Sequence, residues 1–220
     1  MKQLSAITIL TLCVLTVYAQ RSVRLYNKGL KLANEGHYQE AKYLFTKAIL
    51  INYNFYEAFY NRALVKSKLG DYDEAIKDYS RAIERNPTSA IAYNNRGADK
   101  KELNDFGGAA EDYSKAIAID PRYARAYYNR GVVMYNSGDV AVAISDFTKA
   151  IELSPAFEDA YFNRGVMYLK MKRHEEAVND FSKVLEINPG YTRAKEELAV
   201  ANSKMLNMQD STSNDATAFL

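Results

Sequence analysis

Pro87, Pro121, Pro155 and Pro189 stand 34 residues apart and are the only prolines in this 220-residue chain. A fixed period of that size marks a structure built by repetition, in which each unit buries its apolar face against the next copy of itself. Framing the chain backward from the prolines gives five units, 22–55, 56–89, 90–123, 124–157 and 158–191. The eighth position of the units reads Gly29, Ala63, Gly97, Gly131, Gly165, and the twentieth reads Ala41, Ala75, Ala109, Ala143, Ala177. The twenty-fourth reads Phe45, Tyr79, Tyr113, Phe147, Phe181, and the twenty-seventh Ala48, Ala82, Ala116, Ala150, Val184. Small residues facing large rings let two helices approach closely, with the ring filling the gap.

Each unit reads as two helices. In the fourth, Ala124–Ser137 forms the first, Gly138-Asp139 a tight corner, and a second helix runs to about Leu153 before Ser154-Pro155. Gly36, Gly70 and Gly138 recur at the corner, where a left-handed backbone is needed. Asn104 tolerates that conformation, whereas Lys172 pays a steric penalty on the order of 1 kcal/mol. The proline stops each second helix. No strand-like alternation of useful length competes.

The ends differ from the array. Met1–Ala19 has a single charge, Lys2, ahead of an apolar run from about Leu4 to Val17, with Val17-Tyr18-Ala19 before the expected cleavage point. That is the pattern of a secretory signal peptide. The run is shorter than the ~20 residues of a spanning helix, which disfavours an uncleaved anchor. Cys13, the one cysteine, lies inside it, so the mature chain from Gln20 has none, in keeping with a secreted or periplasmic location. Thr192–Met208, with Ala194, Leu198, Ala201 and Met205 at helical spacing, reads as a capping helix, and 209–220 as a disordered polar tail.

The arrangement resembles the tetratricopeptide repeat family. Phe59, Ala63, Gly70, Ala75, Tyr79, Ala82 and Pro87 match its signature position by position in the second unit, and the likeness covers residues 22–191. Unit one departs with Leu25 and Tyr53, and unit five with Lys172 and Val184. The resemblance implies an all-α fold, a right-handed superhelix of helix pairs whose first helices face a concave surface, closed by the C-terminal cap.

Five internal copies separate what holds the array from what it offers. The seventh position reads Lys28, Arg62, Arg96, Arg130, Arg164, and the twenty-third reads Leu44, Asp78, Asp112, Asp146, Asp180. Arginine and aspartate come and go together, which implies a pair bridging the two helices of a repeat. The sixth position is Asn27, Asn61, Asn95, Asn129 and Asn163. An amide can donate to and accept from one peptide unit at once, suiting a grip on an extended backbone; the alternative is a bond to the adjacent helix. Tyr26, Tyr60, Tyr128 and Phe162 precede four of the asparagines, and Leu30, Leu64, Ala98, Val132 and Val166 lie three residues beyond the row. These residues share a helix face and form a candidate peptide-binding groove, part of which must be inter-repeat core. The family's clamp for chaperone tails wants Lys and Asn where this chain has Tyr26 and Leu30, or Tyr60 and Leu64.

Chemistry beyond binding finds little footing. His37 and His174 sit in repeat corners with no nucleophile or carboxylate cluster beside them, and Gly107-Gly108 lacks the Lys-Ser/Thr of a phosphate loop. A net charge of +2 gives nucleic acid no electrostatic footprint, even with 18 tyrosines. No enzyme, cofactor or metal site is expected. The sequence points to a scaffold for a protein or peptide partner laid along the concave face. The alternatives are a subunit stacking head to tail into an oligomer or filament, and a non-catalytic component of an envelope enzyme or secretion machine.

Overall fold

The computed structural model describes the backbone of residues 6–217 and the side chains of residues 16–206. Among the described residues the secondary structure is helical throughout. The helices are α1 (Ala6–Asn34), α2 (Tyr38–Ile51), α3 (Tyr56–Lys68), α4 (Tyr72–Arg85), α5 (Ala90–Glu102), α6 (Phe106–Ile119), α7 (Ala124–Asn136), α8 (Val140–Leu153), α9 (Glu158–Lys170), α10 (His174–Ile187) and α11 (Thr192–Thr217). The chain divides into two compact units, one ending at Ile119 with α1–α6 and one starting at Asp120 with α7–α11. Inside each unit successive helices pack as antiparallel hairpins.

The expected signal peptide lies partly outside the described residues. Its part from Ala6 onward is the start of α1, which runs unbroken through Ala19 into the first repeat. Among the described residues no helix is long and apolar enough to cross a membrane. At the other end α11 continues to Thr217, past the boundary at 208 that the hydrophobic spacing suggested.

Packing inside a hairpin follows the small-against-large rule read from the repeats. Ala41, Phe45, Ala48, Tyr79, Tyr113, Phe147 and Phe181 are almost wholly buried. At Gly131 a Cβ would meet ring carbons of Phe147 at 2.8 Å, so that ring is seated directly on the glycine backbone. The corners are left-handed as expected, at Gly36, Gly70 and Gly138 and also at Asn104 and Lys172, whose φ values are 62° and 60°. Each corner closes with the same long bond, for example Arg173 N–H to Tyr168 C=O at 2.8 Å and Asp139 N–H to Met134 C=O at 2.9 Å. The loop after the second helix has, in four of the repeats, a support that the prolines obscured, Asn86 accepting from Thr88 N–H at 3.3 Å among them. Asn52, Asp120 and Asn188 accept backbone N–H bonds from Asn54, Arg122 and Gly190 at 3.1, 2.9 and 3.1 Å. Repeat one therefore turns in the same way with Tyr53 in place of proline.

The inferred arginine–aspartate pairs are present and bidentate. Arg62 reaches Asp78 at 2.7 and 2.6 Å, and Arg96, Arg130 and Arg164 reach Asp112, Asp146 and Asp180 at 2.6–2.9 Å. Each guanidinium also lies over the ring three residues before it, as Arg62 over Phe59 and Arg164 over Tyr161. The third arginine nitrogen goes backward along the chain. Arg62 donates to Thr46, Arg96 to Ser80 and Arg164 to Thr148 at 2.9–3.1 Å. In these three repeats the pair is thus a staple joining both helices of one repeat to the second helix of the repeat before.

Burial makes this staple asymmetric: it pushes the Asp180 carboxyl above its ordinary range although Arg164 pulls the other way. Removing one partner should therefore cost more than removing both. Arg164→Met is expected to destabilise the protein by about 3 kcal/mol, and Arg164→Met/Asp180→Leu by distinctly less. Urea denaturation of the two variants measures the difference.

Candidate functional site

The first helices of the repeats carry the candidate residues on one face. Tyr26 and Asn27 are on α1, Tyr60 and Asn61 on α3, Asn95 on α5, Tyr128 and Asn129 on α7, and Phe162 and Asn163 on α9. The structure gives most of the aromatic residues a packing role. Tyr26 sits between Phe45 and Phe55, with ring centres 5.7 and 4.8 Å away, and Tyr128 sits likewise between Phe147 and Phe157. Phe162 is only 3% exposed, packed on Phe181 and Tyr191. These rings make the walls of the core, and Phe162 offers a partner little surface.

The asparagine row is tied to the same rings. Asn61 Nδ2 donates to Tyr26 Oη at 3.0 Å, Asn95 to Tyr60 at 3.0 Å and Asn163 to Tyr128 at 3.1 Å, each pair 35 residues apart. Asn61 spends its second N–H on Glu57 C=O. The expectation that each amide can both donate to and accept from a bound backbone needs correcting for Asn61, whose two N–H bonds are consumed. For Asn61 and Asn163 the carbonyl Oδ1 is the end left for a ligand. Asn95 Oδ1 instead accepts from Asn94. Asn27, in the first repeat, is exposed.

An open groove of about 330 Å³ lies on this face in the second unit. Val132, Val166, Met167, Phe147 and Phe162 supply its apolar lining, and Asn136, Asn163 and Tyr135 its hydrogen-bonding groups. Arg193, at the start of α11, is its one charged lining residue. Sequence reasoning found Val132, Val166, Phe162 and Asn163 but missed Tyr135, Asn136, Met167 and Arg193. Position twelve varies too much between repeats to stand out, and Arg193 belongs to a helix with no copy to compare.

The third repeat departs from this plan. Asn94 replaces the aromatic, and Asp99 occupies a position held by Val65, Val133 and Met167 elsewhere. Asp99 is 5% exposed and accepts a short bond from the Ser67 hydroxyl, with Glu102 also acting on it. Burial pushes its carboxyl up to about 6. The Tyr113 hydroxyl, held near Asp99, Glu102 and Asp112, is buried without a hydrogen-bond partner. A raised carboxyl favours the folded state only while protonated, so its contribution is full below about pH 4 and lost as pH rises through 6. Asp99→Asn should then stabilise the protein by about 2 kcal/mol at pH 7.5 and by almost nothing at pH 4. Thermal melts of both proteins across that range provide the check.

His174 is buried with Nδ1 unpartnered, and among the described residues no group of three His, Cys, Asp or Glu side chains could hold a metal ion. Repeated helical hairpins closed by left-handed corners, with small residues against rings, define a helical-repeat protein. The chain belongs to the tetratricopeptide repeat family, whose models match residues 56–89, 100–138, 124–157 and 158–191. No curated protein sequence matches it significantly. Among solved structures it is similar to that of MamA, with 27% identity over 75% of this chain and 96% of that one, TM-score 0.70. The Pseudomonas aeruginosa protein PilF shares the fold at 18% identity, covering 88% and 92% of the two chains, TM-score 0.72. YrrB, described as a repeat protein with an unusual peptide-binding site, shares it at 21% identity over 80% and 90%, TM-score 0.67. A scaffold for protein–protein interaction is what this family and fold support.

Proposed function

We propose that the chain binds a segment of a partner protein on the face formed by its first helices. The groove of the second unit carries this reading: it is open, apolar at its floor, and edged by amides, whereas the repeated arginines are consumed within the array. Such a mixture suits a peptide whose side chains enter the floor while its backbone meets the amides. The apolar run ahead of Gln20 supports export, so the partner belongs to an oxidising compartment. A photo-crosslinking residue placed at Asn136, on the groove, is expected to capture a protein partner in the native cells. The same residue at Glu186, on the exposed side of α10, should capture none. Equal labelling from both positions would defeat this reading.

Self-association is a second reading, favoured by the outer helix of the first repeat. Leu50 is 73% exposed and Tyr43 and Tyr53 are each 59% exposed. The equivalent positions elsewhere read Lys77, Glu84 and Pro87, then Glu111, Ala118 and Pro121. Leu50 and Tyr53 border a groove of about 660 Å³ between α2, α3 and α4. Large exposed apolar groups where other copies carry charged or smaller residues mark an interaction surface. Size-exclusion chromatography with light scattering over a concentration series should show an oligomer that Leu50→Glu dissociates; a monomer at every concentration rules it out.

A further inference from the structure

Resting on the reading that the second unit's groove receives a peptide, we infer that its ligand is acidic: a segment carrying a carboxylate beside a bulky apolar side chain. The polarity of the lining points there. Arg193 is exposed, and its guanidinium carbon stands 4.7 Å from the centre of the Phe162 ring at the groove floor. It makes no ion pair or hydrogen bond with any described residue. The ring stands beside the cation, and the N–H groups of the guanidinium remain to meet a carboxylate in a fork.

A second cation stands at the rim. Lys170, at the end of α9, donates to the Tyr135 hydroxyl from the edge of that ring, and Tyr135 lines the groove. Two basic side chains, one beside the Phe162 ring and one at the Tyr135 hydroxyl, therefore border the same depression. The acidic groups of this unit are disposed differently. Asp146 and Asp180 are tied to Arg130 and Arg164, and Asp159 accepts from the Tyr191 hydroxyl. Glu197, one turn beyond Arg193 on α11, does not line the groove. An incoming carboxylate thus meets positive charge without an internal competitor in the lining.

The floor sets the second half of the recognition. Val132, Val166, Met167 and Phe147 leave an apolar depression of about 330 Å³, room for a branched or aromatic side chain with its neighbour at the rim. Asn163 Oδ1 remains to accept an N–H from the bound backbone, because its amide nitrogen already serves Tyr128. In this site α11 is more than a cover for the last repeat: it contributes the cation.

Binding of three short labelled peptides tests the inference: one alternating Glu with Leu and Phe, one with Gln for Glu, and one with Lys for Glu. NMR shifts of the ¹⁵N-labelled protein detect even weak binding. The Glu peptide should bind in the groove of α7 and α9, the Gln peptide more weakly and the Lys peptide not at all. Arg193→Glu should weaken the Glu peptide about tenfold and admit the Lys peptide. Lys170→Glu, which touches only an exposed side chain, should shift affinity in the same direction. Equal affinity for all three peptides would overturn the acidic preference and leave the groove itself standing. No binding by any of them would overturn both.

Discussion

The arginine staple is the contact on which the array depends. A guanidinium is planar, permanently charged and able to serve three directions at once, and here each direction ends on a different helix or ring. Two nitrogens meet the aspartate of the same repeat, the third meets a threonine or serine of the repeat before, and an aromatic ring lies beneath. Apolar packing between alanines and rings supplies most of the burial, but packing alone tolerates sliding. The forked bond has one acceptable geometry and so sets the register in which the helices meet.

The binding face inherits its order from that register. The tyrosines of the fifth position are clamped between rings of their own repeat, and the asparagines of the next repeat are clamped to the tyrosines. The tyrosines and asparagines of this face thereby hold one another in place. What remains is narrower: in the first unit a carbonyl oxygen on Asn61, and in the second a carbonyl oxygen on Asn163, an apolar depression and the cations Lys170 and Arg193 beside it. Rigid placement of a few polar groups above an apolar floor is what lets a shallow surface discriminate between segments.

Much of this was legible in the repeats because five copies act as an internal experiment. Arg and Asp vanish together in the first unit, where Lys28 and Leu44 stand, and that absence gave the pair away. The hydroxyls of Thr46, Ser80 and Thr148 recur just as regularly, yet serine and threonine cap, turn and solvate so often that recurrence alone named no partner. The asparagines were undecidable for a similar reason: a row that grips a peptide and a row that grips its neighbour have the same period. Asp99 gave no such signal, because its column, Lys31, Val65, Asp99, Val133, Met167, already mixes charged and apolar residues. Arg193 lay beyond the last copy, where no comparison reaches.

The staple also has a direction. Each repeat offers a hydroxyl forward and an arginine backward, so a copied repeat arrives with both halves of its joints already made. Such an array lengthens by duplication without inventing a contact. The two ends break the rule in complementary ways. Lys28 and Leu44 begin the series without the arginine–aspartate pair, and Leu198 stands on α11 where a sixth arginine would fall, packed instead into the apolar cluster of the fifth repeat. The back of one molecule therefore cannot be joined to the front of another through the arginine–aspartate joint used inside the array.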